Sequence, residues 1–283
     1  PQEEEQEEEE TQPDVEDSVD NEASEPDSDE GDEAEDGPDE AGGDDNAGGI
    51  EQGPAITIGS WRSAKTLFGK AVKTSSDKRT FRRAAQSYVR AHGGSRRAAQ
   101  TATAGRSATA RLGGFLSDVA NRGLNAALAA INLSSVIGKD PRTVFAAIAN
   151  AIAPDGSSPE KAVAREATND VLADFYERFV TDDDDLSRLN SLTSEDVKSA
   201  ILDSVTCYIY HRWLQELGRQ IEEKTMSSSE AVRLERETKL FVKDSVTVDF
   251  KDKDPLTMDW ASDGSVLVER IFSEAYSLFG AGR

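Results

Sequence analysis

The chain has 283 residues and a formal net charge of −23, from 55 acidic and 32 basic residues. That length admits one or two domains. The single cysteine, Cys207, excludes an intramolecular disulfide and a cysteine-based zinc cage; with no apolar run near ~20 residues no helical membrane span is expected, and with no basic-then-apolar leader no signal peptide is expected.

The charge is laid out in three blocks. Residues 1–61 hold 25 acidic residues and no Lys or Arg. Residues 62–125 hold 14 Lys or Arg against only Asp77 and Asp118. Residues 126–283 return to a mild excess of about −10. Such asymmetry points to a polyanionic partner, or to the chain's own acidic arm standing in for one.

Residues 1–54 read as a disordered acidic tail ending in a Gly-rich linker. The only aliphatic side chains larger than Ala there are Val15, Val19 and Ile50. Too little apolar area is present to offset an ordering cost of roughly 1–2 kcal/mol per residue. Residues 55–283 then form a helical domain, with a basic part at 61–125 and a mildly acidic part at 126–283. Ser60 is placed to cap a helix from Trp61 to Lys73, and Asp77 to cap a second from Lys78 to His92. Phe81, Ala84, Ala85, Tyr88 and Val89 stripe that second helix, and Gly93-Gly94 stops it. A short helix from Ser95 to about Ala104 is expected to end at Gly105, with the next running from Ser107 to Asn121.

An Ala/Leu-rich helix follows from Leu124 to Ile131. Asp140-Pro141 and Ser158-Pro159-Glu160 are paired start signals, a cap followed by proline at the first helical position. They open helices that end at Pro154 and Val180. Asp182–Asp185 reads as a solvated loop, lacking the glycine and terminal glutamate of a calcium loop. Thr193 opens the most apolar helix, through Ile201, Leu202, Val205, Ile209, Trp213 and Leu217. A helix from Ser228 or Ser229 to about Val246 and one from Gly264 to Phe279 complete the chain. Only Ser245–Phe250 alternates like a strand. The fold class is therefore all-α, a bundle-like body of roughly eight or nine helices behind an acidic tail.

Chemistry-bearing constellations are scarce. The chain has two histidines, His92 and His211. His92 stands where a helix C-terminus favours a cation. Cys207 and His211 share a helix face at i, i+4, the spacing of two metal ligands or of a thiolate and its base. The aromatic setting of Tyr208, Tyr210 and Trp213 favours a packed core helix instead, and no further His or Cys completes a site. No phosphate-loop motif occurs. These features imply no catalytic residue, no cofactor, no metal and a reduced, cytoplasmic setting. Gly113-Gly114 within a helical pattern reads as a close helix–helix approach.

What stands out is arginine. Arg79, Arg82, Arg83 and Arg90 share one face of the second predicted helix, and Arg96, Arg97, Arg106 and Arg111 follow. Three readings stay open: an ordinary solvated face, a dock for an acidic protein surface or the chain's own tail, and a nucleic-acid contact through guanidinium–phosphate forks. No base-reading motif is present.

At these residues the chain resembles a known family. Trp61-Arg-Ser-Ala-Lys65, Tyr88-Val89 and the run Gly93–Val119, GGSRRAAQTATAGRSATARLGGFLSDV, resemble QatB, a component of the Qat anti-phage defence system. The likeness continues through Ala130–Leu133, Gly138, Pro141–Phe145, Ala153–Gly156, Ala162–Arg165 and Ala173-Asp174. These are packing and turn motifs. The resemblance implies a defence module whose companions are an ATPase, a QueC-like enzyme and a TatD-like nuclease. It implies a non-enzymatic role for this chain, as an adaptor, a scaffold or a modification substrate of the QueC-like enzyme. The alternative is a nucleic-acid-binding module whose basic helices, within 61–125, are gated by the acidic tail.

Overall fold

A computed structural model of the chain describes residues 58–73, 78–180, 185–218, 228–246, 250 and 253–281, all within the compact unit Ile50–Arg283. The acidic tail, the Asp77 cap, most of the Asp182–Asp185 run and the middle of the Ser245–Phe250 alternation lie outside the described residues. Among the described residues there are ten α-helices and no strand: α1 Ile58–Lys73, α2 Lys78–Ala91, α3 Ser95–Gln100, α4 Thr103–Arg122, α5 Leu124–Ala130, α6 Pro141–Ile152, α7 Pro159–Phe179, α8 Ser194–Leu217, α9 Ser228–Ser245 and α10 Gly264–Ala281. Two short 3₁₀ turns, Ser134–Val136 and Ser187–Ser191, complete the described elements.

α8 is the axis of the body. Its buried residues run all the way round the helix, from Val197 and Ala200 through Tyr208, Ile209 and Tyr210 to Trp213 and Leu217, as expected of a helix surrounded by others. It packs against α1, α4, α7, α9 and α10. Its start is fixed by a capping box, in which the Asp196 amide donates to Thr193 Oγ1 at 3.2 Å and the Thr193 amide donates to Asp196 Oδ2 at 3.0 Å. Near its C-terminal end Trp213 is the hub of an aromatic cluster, 4.9 Å from Phe68 of α1 and 5.0 Å from Phe279 of α10, with Phe81, Tyr88 and Phe241 around it.

The proline start signals hold. Asp140 accepts from the Thr143 amide at 3.0 Å with Pro141 at the first turn, and Ser158 accepts from the Lys161 amide at 3.3 Å with Pro159 after it. The glycine stop of α2 also holds. Gly94 N donates to Val89 O and Gly93 N to Arg90 O, with Gly93 at φ 83°, the paired bonds of a Schellman ending that a left-handed glycine permits. α1 begins at Ile58, so Ser60 lies inside its first turn rather than capping it.

Two expectations about glycine change. Gly105 does not end a helix; it lies buried within α4, where a Cβ would overlap the ring of Tyr208 on α8. The break falls earlier, at Thr101-Ala102, because tertiary partners there replace the helical ones, as described below. Gly113 and Gly114 do mark a close approach, but the neighbour is the indole of Trp260, which also covers Gly264 at the start of α10. Trp260 belongs to a strap between α9 and α10 that is tied to α4. Ser117 Oγ donates to Pro255 O at 2.8 Å, Asn121 Nδ2 to Leu256 O at 2.8 Å, and Trp260 Nε1 back to Pro255 O at 2.9 Å.

Candidate interaction surface

The Phe81, Ala84, Ala85 and Tyr88 stripe of α2 is buried, so its opposite face carries arginine outward. Arg79, Arg82, Arg83 and Arg90 are all exposed there. Across the Gly93-Gly94 turn, Arg96 and Arg97 are exposed in the first turn of α3, and the Arg97 side chain lies over Gly93. Arg82, Arg83, Arg90, Arg96 and Arg97 have no carboxylate partner among the described residues, whereas Arg79 is engaged. Among the described residues some other arginines are paired, Arg122 with Asp118, Arg165 with Asp155 at 2.9 Å, and Arg178 with Asp174 and Asp196, while Arg62, Arg142, Arg188 and Arg236 are exposed without a described carboxylate partner but lie scattered over other elements.

The other two predicted residues stand apart from this corner. Arg106 is half-buried, forms an ion pair with Glu269 of α10 at 3.0 Å and donates to Gln100 O at 3.3 Å. Its charge is spent on α10. Arg111 projects from α4 into a groove of about 620 Å³ shared with Phe115, Ile152, Leu256 and Trp260, and donates to Ile152 O at 3.4 Å. The sequence grouped eight arginines; the fold puts six on the α2–α3 corner and uses two elsewhere.

Beneath the corner lies a buried polar cluster. His92, just past α2, is 8% exposed and sits edge-on to Trp61 and Tyr88, with ring centroids 5.0 and 4.7 Å away. Its ring points inward rather than at the helix-end carbonyls, and Nε2 lies 2.8 Å from Glu216 Oε2 of α8. Glu216 also accepts from Arg212 Nε at 3.0 Å. Arg212 is 6% exposed and spreads its remaining donors over Ala98 O at 3.2 Å, Tyr276 Oη at 3.3 Å and Thr101 Oγ1 at 3.0 Å. Burial opposes ionisation of Glu216, but the hydrogen bond from His92 and the charge of Arg212 outweigh it and hold its carboxyl below the usual range.

This cluster explains the α3–α4 break. Arg212 places a cation on the Ala98 carbonyl near the end of α3, and Glu160 of α7 places a carboxylate at the start of α4, accepting from Ala104 N at 2.6 Å and from Tyr208 Oη at 3.0 Å. Each charge matches the dipole end that it meets. Sequence reasoning passed over Arg212 and Glu216, and read Glu160 only as part of a helix start. The signal for the first two was there, a charged pair at i, i+4 inside an otherwise apolar helix, where charges must find partners.

The Cys207–His211 pair is part of a second cluster. His211 Nε2 lies 3.1 Å from Asp170 Oδ2, and Nδ1 lies 3.4 Å from Glu166 Oε2. Lys239 of α9 reaches the same Asp170 oxygen at 2.6 Å. Burial would raise the Asp170 carboxyl, yet the hydrogen bonds from His211 and Lys239 hold it at about 2. Burial pushes the Cys207 thiol up to about 12, so it is no thiolate at neutral pH. Among the described residues no group of three or more His, Cys, Asp or Glu side chains is placed to hold a metal ion, and no helix is long and apolar enough to cross a membrane.

No curated protein and no solved structure matches the chain. A family model does, that of the Qat anti-phage system associated protein QatB, over residues 93–279. That span runs from the Gly93-Gly94 turn through the α3–α4 break, the axial helix α8 and the Trp260 strap to the final helix. The chain belongs to the QatB family of the Qat anti-phage defence system.

Proposed function

We propose that this protein serves its defence system without catalysing a reaction, as an adaptor, scaffold or modification-substrate subunit that docks the QueC-like enzyme in the cytoplasm. The observation that carries this reading is the α2–α3 corner, where Arg82, Arg83, Arg90, Arg96 and Arg97 face solvent with no carboxylate partner among the described residues. Guanidinium groups held on a helical scaffold fit a carboxylate-bearing protein face and raise association rate and orientation together. The inward-turned histidines and the raised Cys207 thiol fit a role carried by contact rather than by reaction. The ATPase and the TatD-like nuclease of the system are further contacts in the same assembly.

A second reading is nucleic-acid binding by the same corner, favoured by the match of the arginine fork to phosphate. The two separate cleanly. Full-length chain and the QueC-like enzyme are run together on a sizing column, with and without Arg82→Glu, Arg83→Glu and Arg90→Glu. Co-elution of the parent and loss of the complex in the variant support the adaptor. No complex with the parent, combined with salt-sensitive binding to a DNA or RNA duplex, gives the nucleic-acid reading.

A further inference from the structure

The corner that carries these arginines is built from parts that do not hold themselves. α3 has six residues, well below the length at which a helix is stable alone. It is joined to α2 through two left-handed glycines, Gly93 and Gly94. It is cut from α4 at Thr101-Ala102. Yet Arg96 and Arg97 depend on this short piece for their direction, and Arg90 on the last turn of α2.

Two side chains one turn apart on α8 reach both sides of the corner. Glu216 takes His92 at the end of α2, at 2.8 Å. Arg212 takes the Ala98 carbonyl inside α3 at 3.2 Å and Thr101 Oγ1 beyond its end at 3.0 Å. Thr101 Oγ1 in turn donates to Arg97 O and Ala98 O at 3.1 and 3.0 Å. The pair is closed on itself by Arg212 Nε to Glu216 Oε1 at 3.0 Å, and anchored to α10 through Tyr276 Oη at 3.3 Å. Four of these contacts rest on the planar five-donor guanidinium, a shape that no other side chain reproduces.

We propose that Arg212 and Glu216 are the positioning residues of the basic corner, presetting Arg90, Arg96 and Arg97 as one rigid array for a carboxylate-rich face of a partner protein. The inference rests on the reading of that corner as the docking surface. Preformed geometry removes the ordering cost that flexible arginines would bear on binding, so the array favours a partner whose carboxylates are themselves fixed. Tyr88 is fully buried and Trp61 partly buried, each set edge-on against His92, so Tyr88 offers no face to an unpaired base and Trp61 only part of one, which favours protein over single-stranded nucleic acid.

The test uses the full chain with Arg212→Lys and Glu216→Gln, which keep size and polarity, beside Lys239→Met as a control on the far side of α8. Hydrogen exchange is followed by mass spectrometry, and binding to the QueC-like enzyme is measured across a salt series. The expected result is at least tenfold faster exchange confined to residues 93–101 in both α8 variants. Affinity drops about tenfold while the slope of log affinity against log salt is unchanged, because every arginine of the corner is kept. Arg90→Ala, in contrast, lowers that slope. The proposal is overturned if exchange over 93–101 is unchanged, if it rises equally throughout the fold, or if it rises there with affinity untouched. Should the parent chain not bind the enzyme at all, the docking reading falls, while the exchange pattern still decides whether the pair sets the corner.

Discussion

The two polar clusters on either side of α8 are built to one plan and do different work. In each, a carboxylate is shared by a histidine and a longer cation: Glu216 by His92 and Arg212, Asp170 by His211 and Lys239. In the first, the cation is buried and goes on to grip main-chain and hydroxyl oxygens of α3 and its end. In the second, the Lys239 side chain is 44% exposed, touches the Tyr210 ring 5.8 Å away and ends on side chains. A fork can brace backbone; a point charge neutralises one neighbour and stops. The lesson is that the same pairing supports a surface in one place and only joins helices in the other.

That contrast can be broken at its strongest point with Arg212→Met, which leaves the partly buried Glu216 without its cation and empties the buried guanidinium site. A loss of about 3–5 kcal/mol is expected, read as a fall in unfolding midpoint by circular dichroism. Lys239→Met should cost only about 1 kcal/mol in the same assay. Equal costs would remove the distinction between the clusters.

Next in size is acid sensitivity. The Asp170 carboxyl sits at about 2 against an ordinary 3.8. A carboxyl lowered by folding stabilises the native state fully above its unfolded value, and that contribution drains away as pH falls from near 3.8 toward 2. It amounts to about 2 kcal/mol. Asp170→Asn should therefore flatten the fall in stability below pH 4 in urea titrations at stepped pH. An unchanged acid limb would show that Lys239 and His211 do not favour the ionised form there.

Gly105→Ala tests how tightly the first cluster is packed. The added methyl meets the Tyr208 ring, whose hydroxyl donates to Glu160, and overpacking of this kind costs about 1–3 kcal/mol. The smallest stability effect belongs to the surface itself. Arg83→Glu should move the midpoint by no more than about 0.5 kcal/mol while weakening partner binding, since that side chain is exposed and has no carboxylate partner among the described residues.

Where the sequence was sufficient, the information was local. Asp140-Pro141, Ser158-Pro159 and Thr193 each set a helix start through bonds spanning three residues, and the outward arginines of α2 follow from the period of Phe81, Ala84 and Tyr88. Where it fell short, the partner was far away in the chain. The break after α3 was expected at Gly105 because glycine is a visible punctuator, but the actual break is held by Arg212 and Glu160. Arg106 looked like surface because its partner, Glu269, lies in the final helix. His92 looked like a cap because nothing nearby reveals that Glu216 waits across the core. The arginine corner was legible; what steadies it was not.

The Trp260 strap bears on how the molecule comes together during synthesis. A chain made from its N-terminus exposes α4 early, with Gly113 and Gly114 bare on one side, and the indole that covers them follows only after some 145 further residues have been added. The same indole also seats Gly264 at the start of α10. Until that late segment arrives, the Gly113-Gly114 face of α4 lacks the cover that it has in the folded body.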